Sequence, residues 1–169
     1  MPPRRLTPEV SLDTDPLSAP RKAAVSLLAR RDLTPHLLAV RLRGRGFEAA
    51  AVAEIIRELS ASGVLNEARY AQNFIAYHAG RGQGPVRIAR ELREAGLTEA
   101  AIEAALADGP DWRALARQVR RGRFGAAEPS SWPERARQAR FLQYRGFSAD
   151  HIRAATGADP DPDTGPPEP

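Results

Sequence analysis

Residues 63–106 read GVLNEARYAQNFIAYHAGRGQGPVRIARELREAGLTEAAIEAAL, and the rhythm of apolar residues and glycines in this stretch predicts three short helices joined by tight turns. Tyr70, Ala71, Phe74, Ile75 and His78 fall on one stripe of a 3.6-residue period, behind Asn66 at a position that suits an N-cap. Gly80, Gly82 and Gly84 interrupt that helix. Pro85 then suits the first turn of the next, where its missing N–H costs nothing. Ile88, Ala89, Leu92 and Ala95 form the inward face of the second helix, leaving Arg87, Arg90, Glu91, Arg93 and Glu94 outside. Gly96 stops it in the manner of a left-handed cap, with Leu97 placed to contact Leu92. Thr98 caps a third helix whose stripe is Ile102, Ala105 and Leu106.

The same unit recurs. Leu42, Gly46, Phe47 and Val52 match Leu92, Gly96, Leu97 and Ile102, which match Leu142, Gly146, Phe147 and Ile152, each at a step of 50 residues. Pro35 with Pro85, Ala29 with Ala79 and Val25 with Ile75 extend the match between the first two copies. A period of this size predicts tandem supersecondary units, each too small to bury a core without its neighbours.

The expected organisation is a disordered leader over 1–20, three-helix repeats over 21–63, 64–108 and 109–156, and a disordered acidic, proline-rich tail over 157–169. In the first repeat, Ala24, Val25, Leu27 and Leu28 mark one helix. Thr34 and Pro35 open a second that carries Leu37, Leu38 and Leu42, and Ala51, Val52, Ile55, Ile56 and Leu59 mark a third. In the last repeat Asp111 caps a helix with Trp112, Leu115, Ala116 and Val119. Residues 120–130 read as a mobile loop, and Ser131 with Glu134 has the spacing of a capping box. The fold class is therefore all-α.

Composition narrows the function. The chain lacks cysteine, which excludes disulfides and Cys-based metal or nucleophile chemistry, and no apolar run approaches the roughly 20 residues of a membrane span. No signal peptide is evident, so a soluble cytoplasmic protein is expected. There is no GxxxxGK[ST] motif, and the glycine-rich 80–84 follows a helix instead of a strand, so it reads as a turn and not a phosphate cradle. His36, His78 and His151 are far apart and show no metal-ligand spacing; His78 reads as a packing residue. Arg87 with Glu91 and Arg90 with Glu94 have the spacing of helical ion pairs. No catalytic, cofactor or metal site is expected.

Charge is unevenly spread. The formal net charge is +4 with 24 arginines and one lysine, a bias that composition alone could produce. Over 111–147, however, nine arginines face three acids, whereas the third helices of the first two repeats lean acidic. Such a cluster attracts anionic partners. Phe74 and Tyr70 read as core. Tyr77, Tyr144 and Trp132 fall off the stripes, and aromatics beside arginines suit interface anchors.

The stretch beginning at Gly63, together with RFLQYRGFSADHI at 140–152, resembles the RecX family of bacterial regulatory proteins that act on the RecA recombinase, over about residues 21–155. That resemblance implies three tandem three-helix repeats in an elongated, curved array. It also implies a monomer that binds RecA filaments, contacts single- or double-stranded DNA there, and modulates ATP hydrolysis, strand exchange and LexA-type coprotease activity, usually as an inhibitor. The candidate partner-binding residues are Arg87, Arg90, Arg93, Arg117, Arg120, Arg121, Arg123, Arg137, Arg140, Tyr77 and Tyr144. The alternative is a helix-turn-helix-like regulator acting directly on DNA, because short helices joined at glycine can mimic that geometry. Against it, the helices that would enter a groove carry Glu48, Glu54 and Glu58, or Glu99 and Glu103.

Overall fold

The computed structural model describes residues 15–157. Most of the expected leader and all of the tail beyond Gly157 lie outside that range, and the first helix starts at Ser18, ahead of the boundary expected at residue 20. The described residues form nine α-helices and no strand: α1 (Ser18–Leu28), α2 (Pro35–Gly44), α3 (Ala49–Ala61), α4 (Glu67–Gly80), α5 (Pro85–Glu94), α6 (Glu99–Ala107), α7 (Trp112–Phe124), α8 (Trp132–Tyr144) and α9 (Ala149–Thr156).

Local chemistry sets the boundaries. Side-chain oxygens of Thr34, Asn66, Thr98 and Asp111 accept from the amides of Leu37, Arg69, Ala101 and Ala114 at 3.1, 2.9, 3.3 and 3.0 Å. Ser131 accepts from the Glu134 amide at 3.4 Å, but the capping box it suggested is only half made. The Glu134 carboxylate reaches past it to the amide of Ser130 at 3.0 Å. The complete reciprocal box belongs to Ser148 and His151. Each middle helix ends in a Schellman turn. Leu97 N donates to Leu92 O at 3.2 Å and Gly96 N to Arg93 O at 2.9 Å, and the same two bonds close α2 at Gly46 and α8 at Gly146.

Helices pack in threes, α1 with α2 and α3, α4 with α5 and α6, and α7 with α8 and α9. Every trio has its own small core. Leu38, Leu42, Val52 and Ile55 centre the first, Ile75, Ile88, Leu92 and Ile102 the second, and Leu142, Phe147 and Ile152 the third. At the position of Leu38 and Ile88, the third trio carries Gln138, which is also buried.

The trios are joined end to end through their middle helices. The Thr34 hydroxyl, fully buried, donates to Ala95 O at 2.6 Å, so the start of α2 sits on the end of α5. One step of 50 residues later, Gly84 N donates to Arg145 O at 2.8 Å and Val86 N to Gly146 O at 2.9 Å, seating the start of α5 on the end of α8. Side chains reinforce both joints. Leu37 packs against the first and second cores alike. Trp112 opens α7 but packs into the second core, donating its indole N–H to Leu106 O at 3.1 Å.

Two expectations need correction. The step of 50 does not hold for the first helices. The buried residues are Pro20, Ala24 and Leu27 in α1 but Ala71, Ile75 and Ala79 in α4, so Ala24 takes the place of Ile75 and Val25 is 55% exposed. The cause is the connection: α1 ends at Leu28, well short of Pro35, whereas α4 runs on to Gly80, close to Pro85. The second correction is the loop expected over 120–130. Helix α7 continues through Phe124, leaving only 125–131 irregular.

The joints make a differential prediction. Gly46, Gly96 and Gly146 share positive φ values of 88°, 92° and 90°. A methyl group on Gly96 would overlap His36 and lie 2.7 Å from its Cγ, and one on Gly146 would overlap Arg87 and lie 2.8 Å from its amide nitrogen. On Gly46 it would meet nothing. Gly46→Ala should therefore cost only the left-handed penalty of about 1 kcal/mol. Gly96→Ala and Gly146→Ala should cost clearly more in urea unfolding followed by circular dichroism; equal losses at the three sites would show that the joints are not closely packed.

Candidate functional site

Helices α4 and α7 belong to adjacent trios and do not pack closely on one another. Between them lies an open groove of about 920 Å³, because the residues facing it are small. Ala76, Ala79 and Gly80 come from the end of α4, Gly82 from the turn after it, Gly109 from the connection before α7, and Gly122 from α7, with Ile75, Leu115, Val119 and Phe141 as apolar walls. Its size is that of a ligand or peptide site.

Three arginines stand at its rim, Arg81, Arg123 and Arg145, and each lies on an aromatic ring. The Arg81 guanidinium is 5.4 Å from the centre of Tyr77, Arg123 is 5.5 Å from Phe124, and Arg145 is 5.3 Å from Phe141. Phe124 and Phe141 meet edge to face at 5.3 Å, and Arg137 covers Phe124 from 5.4 Å. Arg145 also donates to Arg81 O at 3.1 Å, tying the rim across the joint. Stacking holds these cations in place without neutralising them. The Asp108 carboxylate lines the groove near Gly109.

The expected contact arginines divide into three kinds. Those of α5 are paired: Arg87 with Glu91 at 3.0 Å, Arg90 with Glu94 at 3.8 Å, and Arg93 with Glu99. The spacing of the first two pairs is the one read from the sequence, and it leaves this face of α5 close to neutral. Arg117, Arg121, Arg123, Arg137 and Arg140 form no ion pair with a described carboxylate; Arg117 is half-buried and the other four are exposed. Arg120 stands apart, 3% exposed, with Nη1 donating to Ala127 O at 2.9 Å and reaching Gln138 Oε1 at 3.5 Å. It is therefore removed from the contact surface. The signal was present in the sequence: the stripe of Trp112, Leu115, Ala116 and Val119 continues to residue 120 on a 3.6-residue period.

Tyr77 and Tyr144 are 60% and 83% exposed, and Trp132 is exposed as well. Tyr70 and Phe74 are half-buried against the second core, where burial pushes the Tyr70 hydroxyl up. His78 stacks on Phe74 at 4.0 Å and meets Gln83 Oε1 at 2.7 Å, the packing role expected of it. Sequence reasoning missed Arg81 and Arg145 as site residues. Their signal is the i, i+4 spacing of Tyr77 with Arg81 and Phe141 with Arg145, which brings ring and cation together on one helix face.

Elsewhere, acids are held by neighbours. The Glu134 carboxyl is lowered by the Ser130 amide and hydroxyl, and Asp150 by the Arg113 guanidinium, whose Nε lies 3.1 Å away. Among the described residues no three His, Asp or Glu side chains gather to hold a metal ion, and no helix is long and apolar enough to cross a membrane. The fold and this surface define a helical-repeat protein with a stacked, unpaired cationic rim beside an apolar groove.

Comparison with known proteins makes this specific. Residues 66–106 match the second three-helix domain of RecX and residues 111–156 its third. The regulatory protein RecX of Halorhodospira halophila (strain DSM 244 / SL1) is 47% identical over 150 residues, covering 88% of this chain and 93% of that protein. The one from Pseudomonas fluorescens is 42% identical over 154 residues, covering 90% and 98%. A crystal structure of RecX from Lactobacillus salivarius shares the fold, with a TM-score of 0.74 at 22% identity over 83% of this chain and 94% of that one. The chain belongs to the RecX family of regulatory proteins.

The arginine classes predict different consequences. Arg120→Ala should lower stability by about 1–3 kcal/mol, because the Ala127 carbonyl and Gln138 amide lose a buried partner. Arg121→Ala, one residue on, should leave the unfolding midpoint where it is. Equal midpoints for both variants would contradict a structural role for Arg120.

Proposed function

We propose that this protein binds RecA nucleoprotein filaments in the cytoplasm and lowers their ATPase, strand-exchange and coprotease activity, acting as a monomeric binding protein with no chemistry of its own. The observation that carries this reading is the contrast in charge pairing. The arginines of α5 are matched by Glu91, Glu94 and Glu99, whereas Arg117, Arg121, Arg137 and Arg140 on α7 and α8 are left for a partner. The choice of RecA as partner rests on the resemblance of 63–97 and 140–152 to the RecX family, and the name of its relatives, a regulatory protein, is in keeping with it. The third trio then meets acidic protein surface or filament DNA, with Tyr144 alongside, and charge steers the encounter.

The test is ATP hydrolysis by the cognate RecA on single-stranded DNA as the protein is titrated in, with its own DNA binding followed in parallel. Hydrolysis should fall at concentrations where the free protein scarcely binds DNA. Replacing Arg117, Arg121, Arg137 and Arg140 together by Ala should raise the half-inhibitory concentration about tenfold, taking about 0.4 kcal/mol as typical of an exposed pair, with the helical signal unchanged. Flat hydrolysis with tight binding to DNA alone would favour the DNA-binding alternative.

A further inference from the structure

The groove between α4 and α7 is apolar along its walls and cationic at its rim, and the chain itself carries a segment of complementary character. Residues 158–169 read ADPDPDTGPPEP, with four acids, five prolines and no base. We propose that this acidic, proline-rich segment docks in the groove of its own chain. Its carboxylates meet Arg81, Arg123 and Arg145, and its pyrrolidine rings lie along Val119 and Phe141.

Three observations converge on this occupant. The first is charge: none of the three rim arginines has an ion-pair partner among the described residues, and each is fixed in place by its ring. The second is placement. Helix α9, which leads into the segment, packs on α7, and Ala155 in its last turn packs against the third core, as do Leu115 and Val119, two walls of the groove. The segment thus begins at the end of a helix packed on α7, the helix that forms one wall of the groove and is roughly 10 Å across. Twelve residues extended as polyproline II span about 37 Å, enough to cross α7 and run along the groove. The third is conformational entropy. Proline fixes its own φ and steers the residue before it away from the helical region, so a sequence with prolines at 160 and 162 has fewer free torsions to lose on docking, and the tether raises the local concentration. Aromatic-lined grooves take such extended proline segments in the same way. Asp108, on the connection side, repels the acids and biases them toward the arginine end. The docked segment covers the stacked cations and shields them from other anionic surfaces. The inference stands on this groove and this segment and does not depend on the identity of the external partner.

Because the chain has no cysteine, Thr164→Cys gives a single site for a nitroxide label on the full chain. Amide signals of the groove residues Gly80, Gly82 and Gly122 should be broadened to less than half their diamagnetic intensity, while Gly46 and Gly63 in the first trio keep theirs. Raising salt from about 0.1 M to about 1 M, which cuts the screening length from about 10 Å to about 3 Å, should restore the groove signals. Neutralising the acids in the labelled chain with Asp159→Asn, Asp161→Asn and Asp163→Asn should restore them at low salt. Groove signals no weaker than those of Gly46, or broadening that survives neutralisation, would overturn the proposal. So would broadening seen only when spin-labelled protein is mixed with isotope-labelled, spin-free copies, since the contact would then join two molecules.

Discussion

The structure depends on a close backbone approach at two glycines. Gly96 and Gly146 end their helices in the left-handed conformation, and without a Cβ each lets the start of the preceding trio's middle helix come to rest on it. Thr34 at one joint and the Gly84 amide at the other donate to the carbonyl just before the glycine, so orphan groups at a helix end are satisfied by the next unit and not by water. One residue type thus performs two tasks, stopping a helix and admitting a neighbour. The small cores of the trios could not persist separately; stacking through these joints is what makes an array of them stable. Gly46 has the same backbone, but no described residue rests on it.

The joints also make the site. The end of α4 and the start of α5 are held against α8, and that fixes the spacing of α4 from α7. Small residues along α4, with Gly122 on α7, leave a groove at that spacing instead of a packed interface. Where the arginines fall relative to carboxylates then decides what the surface does. Helix α5 carries Glu at i+4 from Arg87 and Arg90 and neutralises itself, while α7 and α8 have almost no acids to spend on their arginines. The result is one neutral trio beside one cationic trio, an asymmetry suited to engaging a partner from one end.

Much of this was legible in the sequence, and the reasons are local. Caps at Thr34, Asn66, Thr98 and Asp111, the glycine stops and the Arg87–Glu91 and Arg90–Glu94 pairs all involve residues no more than five positions apart, where spacing determines contact. The RecX resemblance rested on two such local stretches, 63–97 and 140–152. What escaped was tertiary. The one-residue shift of α1 follows from the length of its connection, which no periodicity reports. Arg120 was counted with the surface charges although the stripe of α7 runs through it, because an arginine is read as exposed unless a buried partner such as Gln138 is known. The groove needed the relative placement of two trios, and the stacked rim needed the i, i+4 pairing of aromatic and arginine to be weighed ahead of either residue alone.

The central claim is that the third trio is the end that engages RecA. It is tested most directly by amide hydrogen exchange of the protein, free and bound to a RecA filament assembled on single-stranded DNA with a non-hydrolysable nucleotide. The account predicts new protection concentrated in peptides from α7 and α8, with α1 to α3 exchanging as in the free protein. Protection confined to the first trio, or none anywhere under conditions where the protein co-sediments with the filament, would contradict it.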